Sequence, residues 1–466
     1  MSRPLTGTGL AVLLFAGLLP MADAFIVNVS LPTIATSLAA DNADLCLVVA
    51  GYGIAFTVFL TLGGRLGDAY GRRTVLLFGL LAFTAASMVC AFAPTTGWLI
   101  GARVAQGAAA ALIPPQVLGT ISATTPPERR PRSMSGHTAV SGLAAMGALF
   151  VGGLLTSVDL WGTSWRLIFL VNLPVGIAAV LLTALVVPET RSASPAGIDP
   201  RGTGLLAAAG LLLLVPLNRG PVLGWPWWTV AMLVLAPAAG YALWRVEAKV
   251  SAAGRAPLLP PSLLATPAVR RGLLTAAPFL AAWAGCLYAL PLTLQRGFGL
   301  DPLWAGLVVV PLAAAFLAGS LAVPALRAHL GERATVAGAL AQAGGVAWLL
   351  VCVATGALDT AAWTALPGLT LIGFGQAVVV GSTQISVLAA IPTHHAAVGG
   401  GVLLTTQQGA MTIGVTALGS VFGGVLAVSP HSAAFGVVLA VQLAAGLAVL
   451  VVVRRGIGRA LAVSPR

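Results

Sequence analysis

The chain is expected to fold as an all-α integral membrane protein of about fourteen transmembrane helices. Three observations lead there. First, 58% of the 466 residues are hydrophobic, 8% are charged and the mean hydropathy is +0.98. A soluble domain has too little interior relative to its surface to hide that much apolar material, so lipid must be the solvent for most of it. Second, the hydropathy pattern resolves into apolar stretches of spanning length. Third, Lys and Arg concentrate in every second loop.

In order, the stretches run approximately over 9–30, 45–64, 74–93, 97–120, 134–157, 165–187, 203–220, 225–246, 270–292, 303–325, 334–354, 360–385, 398–424 and 433–454. At about 1.5 Å per residue each can cross an apolar layer of roughly 30 Å as a helix. Helices are required because a lone segment in hydrocarbon must satisfy its own backbone, and the alternation of a barrel strand is absent.

The side that carries the N-terminus holds Arg3; Arg65, Arg72 and Arg73; Arg129, Arg130 and Arg132; Arg191 and Arg201; Arg245, Lys249, Arg255, Arg270 and Arg271; Arg327 and Arg333; and Arg454, Arg455, Arg459 and Arg466. That is 20 of the 24 basic residues, against Arg166, Arg219 and Arg296 on the other side and Arg103 inside a span. This bias places both termini in the cytoplasm of a cell (cytoplasmic) membrane protein. It also accounts for the net charge of +12 without nucleic acid as a partner, with attraction to anionic membrane lipids as a by-product. The first residues have a second reading as a signal peptide, with an apolar run from Leu10 to Leu19 and a small-x-small site at Ala22-Asp23-Ala24. Cleavage there would leave an odd number of spans and disturb the charge asymmetry.

Linkers rich in Pro, Gly and charge divide the chain into an N-terminal six-helix bundle (1–190), a linker with two extra spans (191–267) and a C-terminal six-helix bundle (268–466). Sequence reading assigns the two extra spans no role.

Asp23 is the single acidic residue within the spans. A charged Asp at a helix centre costs about 2.5–3.5 kcal/mol, relieved by protonation or by a nearby cation. Arg103, the basic residue deep in a span, is the natural cation. Gln106, Gly107 and Ala110 share its side of the helix, a face small enough to let a neighbour approach the polar groups. The pair either ties two helices together structurally or exchanges a proton in a water-filled cavity, with Arg103 stabilising the ionised carboxylate.

Aromatic residues Phe25, Tyr52, Phe56, Trp283 and Tyr288 can line an adaptable pocket for flat or lipophilic molecules, or simply pack. Thr405, Gln408 and Thr412, together with Gly401, form a polar stripe on span 13 that reads equally as cavity lining and as interhelical packing. Gln376, Gln384 and Gln407 are weaker candidates of that kind, and Asn28 and Gln106 complete the expected substrate-binding set. Trp225, Trp227 and Trp228 read as an interfacial belt.

Other chemistries lack their residues. The lone Lys249 is followed by Val, so no phosphate-binding Gly-Lys-Ser/Thr loop exists and energy must come from a gradient. His137, His329, His394, His395 and His431 have no zinc-protease spacing, and His394 and His395 fall in the loop before span 13. Cys46, Cys90, Cys286 and Cys352 sit singly as small apolar fillers. No paired carboxylates are available for hydrolysis, and no enzyme activity, metal or cofactor is implied.

The loop after span 2, Gly63-Gly64-Arg65-Leu66-Gly67-Asp68-Ala69-Tyr70-Gly71-Arg72-Arg73, resembles the signature loop of the major facilitator superfamily. Further segments are similar to its fourteen-helix drug:proton antiporter branch: Asp23 to Pro32 in helix 1, Arg103-Val104-Ala105-Gln106-Gly107 in helix 4, Trp165 to Pro174 at the start of helix 6, Gly373-Phe374-Gly375 and Gln407-Gln408-Gly409. The resemblance covers nearly the whole chain. It implies two six-helix bundles plus two extra central helices. It also implies a gate latch at Gly64, Asp68, Gly71, Arg72 and Arg73, where Asp68 meets a helix N-terminus or an Arg.

Two departures stand out. Ala148-Leu149 replaces the branch's Gly-Pro pair before Gly152-Gly153, removing the encoded bend. The second copy of the signature loop survives only as Leu326 to Arg333, with Ala328 where Asp68 stands in the first. The expected function is proton-coupled efflux of small hydrophobic or amphipathic drugs, neutral or monovalent cations, by alternating access. An uncoupled or symporting metabolite carrier, or a non-transporting scaffold or sensor, would use the same residues differently. Substrate identity is not encoded in generic apolar residues.

Overall fold

The computed structural model describes residues 5–126, 130–158, 163–192, 197, 199–254, 257–258, 261–391 and 396–463. Arg3, Arg129, Arg255, Arg466, His394 and His395 lie outside these. The described residues form fourteen long helices: α1 Gly7–Leu38, α2 Asn42–Tyr70, α3 Arg72–Ala91, α4 Thr96–Thr124, α5 Arg130–Val158, α6 Ser164–Val186, α7 Pro200–Arg219, α8 Trp227–Ala252, α9 Pro267–Gly297, α10 Pro302–Leu330, α11 Arg333–Ala354, α12 Ala362–Ala389, α13 Ala396–Leu426 and α14 His431–Val463. Each expected span has its helix. Many run past the apolar stretch, carrying Asp44, Asp68 and Glu247 onto helix ends.

Prolines shape the local geometry, because a helical Pro has no N–H to donate and crowds the preceding turn. The turn at Ala111 and Leu112 interrupts α4 just before Pro114 and Pro115. A break at Val171 precedes Asn172-Leu173-Pro174 in α6, and α9 ends in a π-turn, Thr293–Gly297, after Pro291. With Ala148-Leu149 in place of the Gly-Pro pair, α5 is one unbroken helix.

Helices α1–α6 pack among themselves, as do α9–α14, and the two groups meet along α2 against α13 and α5 against α10. Gly153 makes the second contact possible, since a Cβ there would lie 2.4 Å from the Pro302 carbonyl oxygen and 3.3 Å from the Gly306 Cα. The hairpin α7–α8 lies outside, with α7 against both α2 and α13. Arg219 pairs with Asp44 at 2.5 Å, Asn218 donates to the Ala43 carbonyl, and Ser420 on α13 donates to the Leu217 carbonyl at 2.8 Å. At its other end Arg65 donates to Gly197 O. The hairpin therefore covers the α2–α13 seam. Large apolar side chains such as Leu185 (80% exposed), Val234 (70%) and Trp227 (81%) point outward, as lipid requires. All four cysteines are buried and free.

The groups are tied together at the end away from the arginine-rich loops. Asn42 donates to the Gly419 carbonyl, Tyr288 Oη donates to Asn42, and Gln295 donates to the Val29 carbonyl. Toward the arginine-rich end, Thr61 and Thr405 at 3.2 Å form the side-chain hydrogen bond between the groups among the described residues. The molecule is thus closed at the end opposite the arginines.

Candidate functional site

Asp23 sits one turn beyond Pro20 in α1 and is 1% exposed, and Arg103 on α4 is fully buried. The two form an ion pair through Arg103 Nη1 and Asp23 Oδ2. The other carboxylate oxygen accepts from Gln106 Nε2 at 2.9 Å and Asn172 Nδ2 at 2.8 Å. Both amides also donate to Ser87 Oγ, at 3.0 and 2.9 Å. Arg103 donates in addition to the Val48 carbonyl and to Gln106 Oε1. Four helices, α1, α3, α4 and α6, thus converge on one carboxylate.

Burying two charges is tolerable only when they are paired and their remaining hydrogen-bonding capacity is met. The carboxylate has donors on both oxygens, so its own hydrogen-bonding capacity as an anion is met. A proton placed on Asp23 would turn an acceptor into a donor and force the facing amides to rearrange. Arg103 Nη2 has no hydrogen-bond partner, but its guanidinium carbon lies 4.2 Å from the centroid of the Tyr52 ring and 5.8 Å from that of Phe169. Gly107 lets α2 and α4 approach here, because a Cβ would fall 2.3 Å from the Tyr52 carbonyl oxygen.

Beside the network, between the two helix groups, lies a cavity of ≈ 60 Å³. Of the expected substrate-binding residues, Phe25, Asn28, Tyr52, Gln408 and Thr412 line it, with Met21, Met411 and Leu287 supplying apolar wall. No charged side chain lines it. Asn28 Oδ1 is buried without a partner.

The structure takes the other expected residues elsewhere. Gln106 belongs to the Asp23 network. Phe56 stacks on Tyr52 at 6.0 Å and is buried, and Trp283 packs in the core between the groups. Tyr288 holds Asn42 at the closed end. Gln376 bonds Gln342 between α12 and α11, Thr405 faces Thr61, and Gln384 lies beyond the cavity lining on α12. The polar stripe of span 13 is therefore divided between packing and cavity.

In the signature loop, Asp68 accepts from Arg72 Nη2 at 2.7 Å, and Arg72 Nη1 donates to the Gly119 carbonyl on α4. Gly71 takes φ +106°, a conformation open to glycine, and starts α3. Glu189, which sequence reading passed over, caps that helix. It accepts from the Arg73 and Thr74 amides at 3.1 and 3.2 Å and from Thr74 Oγ1 at 2.9 Å. Arg73 donates to the Ala184 carbonyl, and Gly64 faces Pro115. Replacing Glu189 by Ala is expected to cost about 1 kcal/mol of stability, as for a lost helix cap, and more than Asp68→Ala, which removes a partly exposed ion pair with Arg72 one turn away. Thermal unfolding in detergent, comparing the two variants, decides it; equal shifts would contradict the capping role.

The second copy of the loop is less decayed than its sequence implies. Arg327 pairs with Glu332 at 3.0 Å, and Ser386 on α12 bridges them, accepting from Arg327 and donating to Glu332. Glu332 supplies the carboxylate that Ala328 lacks. The loop between α10 and α11 thereby grips α12 much as the first grips α4.

A family model described as Major Facilitator Superfamily matches residues 13–415. The chain belongs to that superfamily. Among relatives, the probable actinorhodin transporter of Streptomyces coelicolor is 32% identical over 418 residues, covering 90% of this chain and 72% of that protein. The cephamycin export protein CmcT of Amycolatopsis lactamdurans is 33% identical over 441 residues, 91% of this chain and 86% of its own. Among solved structures, that of the peptide transporter POT in complex with sulfate superposes with a TM-score of 0.69 at 16% identity over 97% of each chain, a likeness of fold.

Asp23 and Arg103 stand out in the sequence by their charge, whereas Asn172 and Ser87 carry none and do not. The available signal for Asn172 was its place in the Asn-Leu-Pro sequence at the start of the sixth span. Ser87, in an apolar run, had none.

Proposed function

We propose that this superfamily member is a proton-driven exporter of small lipophilic molecules across the cell membrane, with both termini in the cytoplasm. The observation that carries the proposal is a sealed carboxylate, Asp23, held by Arg103, Gln106 and Asn172 beside an uncharged cavity at the seam of two helix groups. Relatives named as a probable actinorhodin transporter and a cephamycin export protein support export of small molecules as the substrate class. The positive-inside bias supports the orientation, which makes the closed end the outer one.

In the cycle, residues 1–190 and 268–466 rock as two units about the fixed site while 191–267 rides on the α2–α13 seam. In the outward-facing state Asp23 takes a proton, the amide network rearranges and substrate is released. In the inward-facing state proton loss restores the pair with Arg103, and substrate enters. One charge moved through 100 mV supplies about 2.3 kcal/mol, enough for a useful gradient with a single proton. The absence of charge in the cavity lining favours neutral substrates over cations.

The test uses the purified protein in vesicles containing a pH-sensitive dye, energised by a pH gradient and challenged with neutral antibiotics and lipophilic cations. Compound-triggered proton release that disappears when an ionophore collapses the gradient is the expected result. Proton movement unaffected by every compound would overturn the antiport reading.

A further inference from the structure

The proton site and the substrate cavity are neighbours that share almost nothing. The hydrogen-bond and cation–π partners of the Asp23–Arg103 pair are Gln106, Asn172, Val48, Phe169 and Tyr52, with Ser87 behind the amides. Of these, Tyr52 alone among the described residues also lines the cavity. Its ring lies 4.2 Å from the Arg103 guanidinium carbon, stacks on Phe56 and is 2% exposed. Its hydroxyl donates to the Pro20 carbonyl at 2.8 Å, one turn before Asp23 on the same helix. The ring is thus clamped from both sides, by α1 through the hydroxyl and by α4 through Arg103.

We propose that Tyr52 is the shutter that couples substrate occupancy to proton access at Asp23. The inference rests on the antiport reading above for its substrate but not for its seal. The cavity of ≈ 60 Å³ is far smaller than the roughly 300–1,000 Å³ of drug-sized sites. A substrate can enter only by displacing the lining, and Tyr52 is the lining residue whose displacement reaches the charge pair. With the ring in place, Asp23 is shut off from cavity water. With the ring swung aside, Arg103 loses its π-face and water reaches the carboxylate. One proton then passes from that water to Asp23 while Arg103 keeps its charge, and the proton leaves by the same route when the ring is displaced again. Tyr52 is therefore a positioning residue, and its role differs from packing in a readable way: its loss opens a proton path in the absence of any substrate.

The experiment measures dye-reported proton flux in vesicles under an imposed pH gradient with no compound added. Wild type and Tyr52→Phe, which keeps the ring, are expected to hold the gradient. Tyr52→Ala and Tyr52→Leu, which lack the π-face, are expected to leak several-fold faster, and Asp23→Asn combined with Tyr52→Ala is expected to lose that leak. The leucine variant retains apolar bulk and answers the question if the alanine variant does not fold. A gradient held as well by the leucine variant as by wild type would overturn the proposal, and so would a leak that survives removal of Asp23. If compounds trigger no proton release in wild type while the Tyr52 variants leak through Asp23, the exporter reading fails, and Tyr52 stands as the seal of Asp23 but not as a coupler to substrate. If compounds do drive release in wild type while the Tyr52 variants stay tight, the shutter fails and the exporter reading stands.

Discussion

Replacing Asp23 by Asn is expected to abolish compound-driven proton release while leaving the fold assembled but weakened. The amide keeps the shape of the carboxylate and can still meet one of its neighbours, yet it cannot neutralise Arg103. Arg103 is fully buried, and removing one partner of such a pair costs about 3–5 kcal/mol, because the remaining charge is left in a medium that solvates it poorly. Thermal unfolding in detergent should show that loss. The double variant Asp23→Asn with Arg103→Gln should recover part of it, since both charges are then gone. Full proton coupling in Asp23→Asn would remove this residue from the mechanism. Losses in Asp23→Asn and Arg103→Gln that simply add up in the double variant would show that the pair contributes no energetic coupling.

Gly153→Val is expected to hold the molecule open at the end that is closed in this structure. The added Cβ falls 2.4 Å from the Pro302 carbonyl oxygen, a backbone atom that cannot swing away, and Gly306 stands 3.3 Å off. Relief comes only by separating α5 from α10, so the closed arrangement is penalised while an open one is not. Transport should fall by about tenfold or more, since overpacking typically costs 1–3 kcal/mol and each 1.4 kcal/mol is tenfold in a population. Spin labels at Phe92 and Val428, both exposed beyond the helices at this end, report the separation. The native cysteines are buried and do not compete for the label. An unchanged distance distribution with normal transport would show that this contact is not part of the gate.

The fourteen helices were legible in the sequence because membrane insertion is decided segment by segment. A stretch such as 433–454 either satisfies its backbone and matches the lipid or it does not, whatever its neighbours are. Asp23 and Arg103 were legible for the same reason, since a charge in hydrocarbon is conspicuous without knowing what surrounds it. The signature loop was legible as a motif, yet Glu189, which caps α3 across 116 residues of chain, was not. Nor was Glu332, which takes the acidic role that Ala328 vacates.

The sequence by itself determined that this is a multi-span helical membrane protein, the number of its spans and the two opposite charges, Asp23 and Arg103, that lie within them. Only the tertiary structure decided that Asn172, 149 residues from Asp23, completes the carboxylate's shell, that Tyr52 stands between the pair and the cavity while Trp283 and Tyr288 do not, and that α7–α8 lies over the α2–α13 seam. The reason is physical. Charge and hydrophobicity are properties of a residue in any context, whereas an amide or a phenol in a membrane helix acquires its role from the helix it faces. That facing is fixed by the rotation and close approach of whole helices, which small residues such as Gly107 permit and which no single segment specifies.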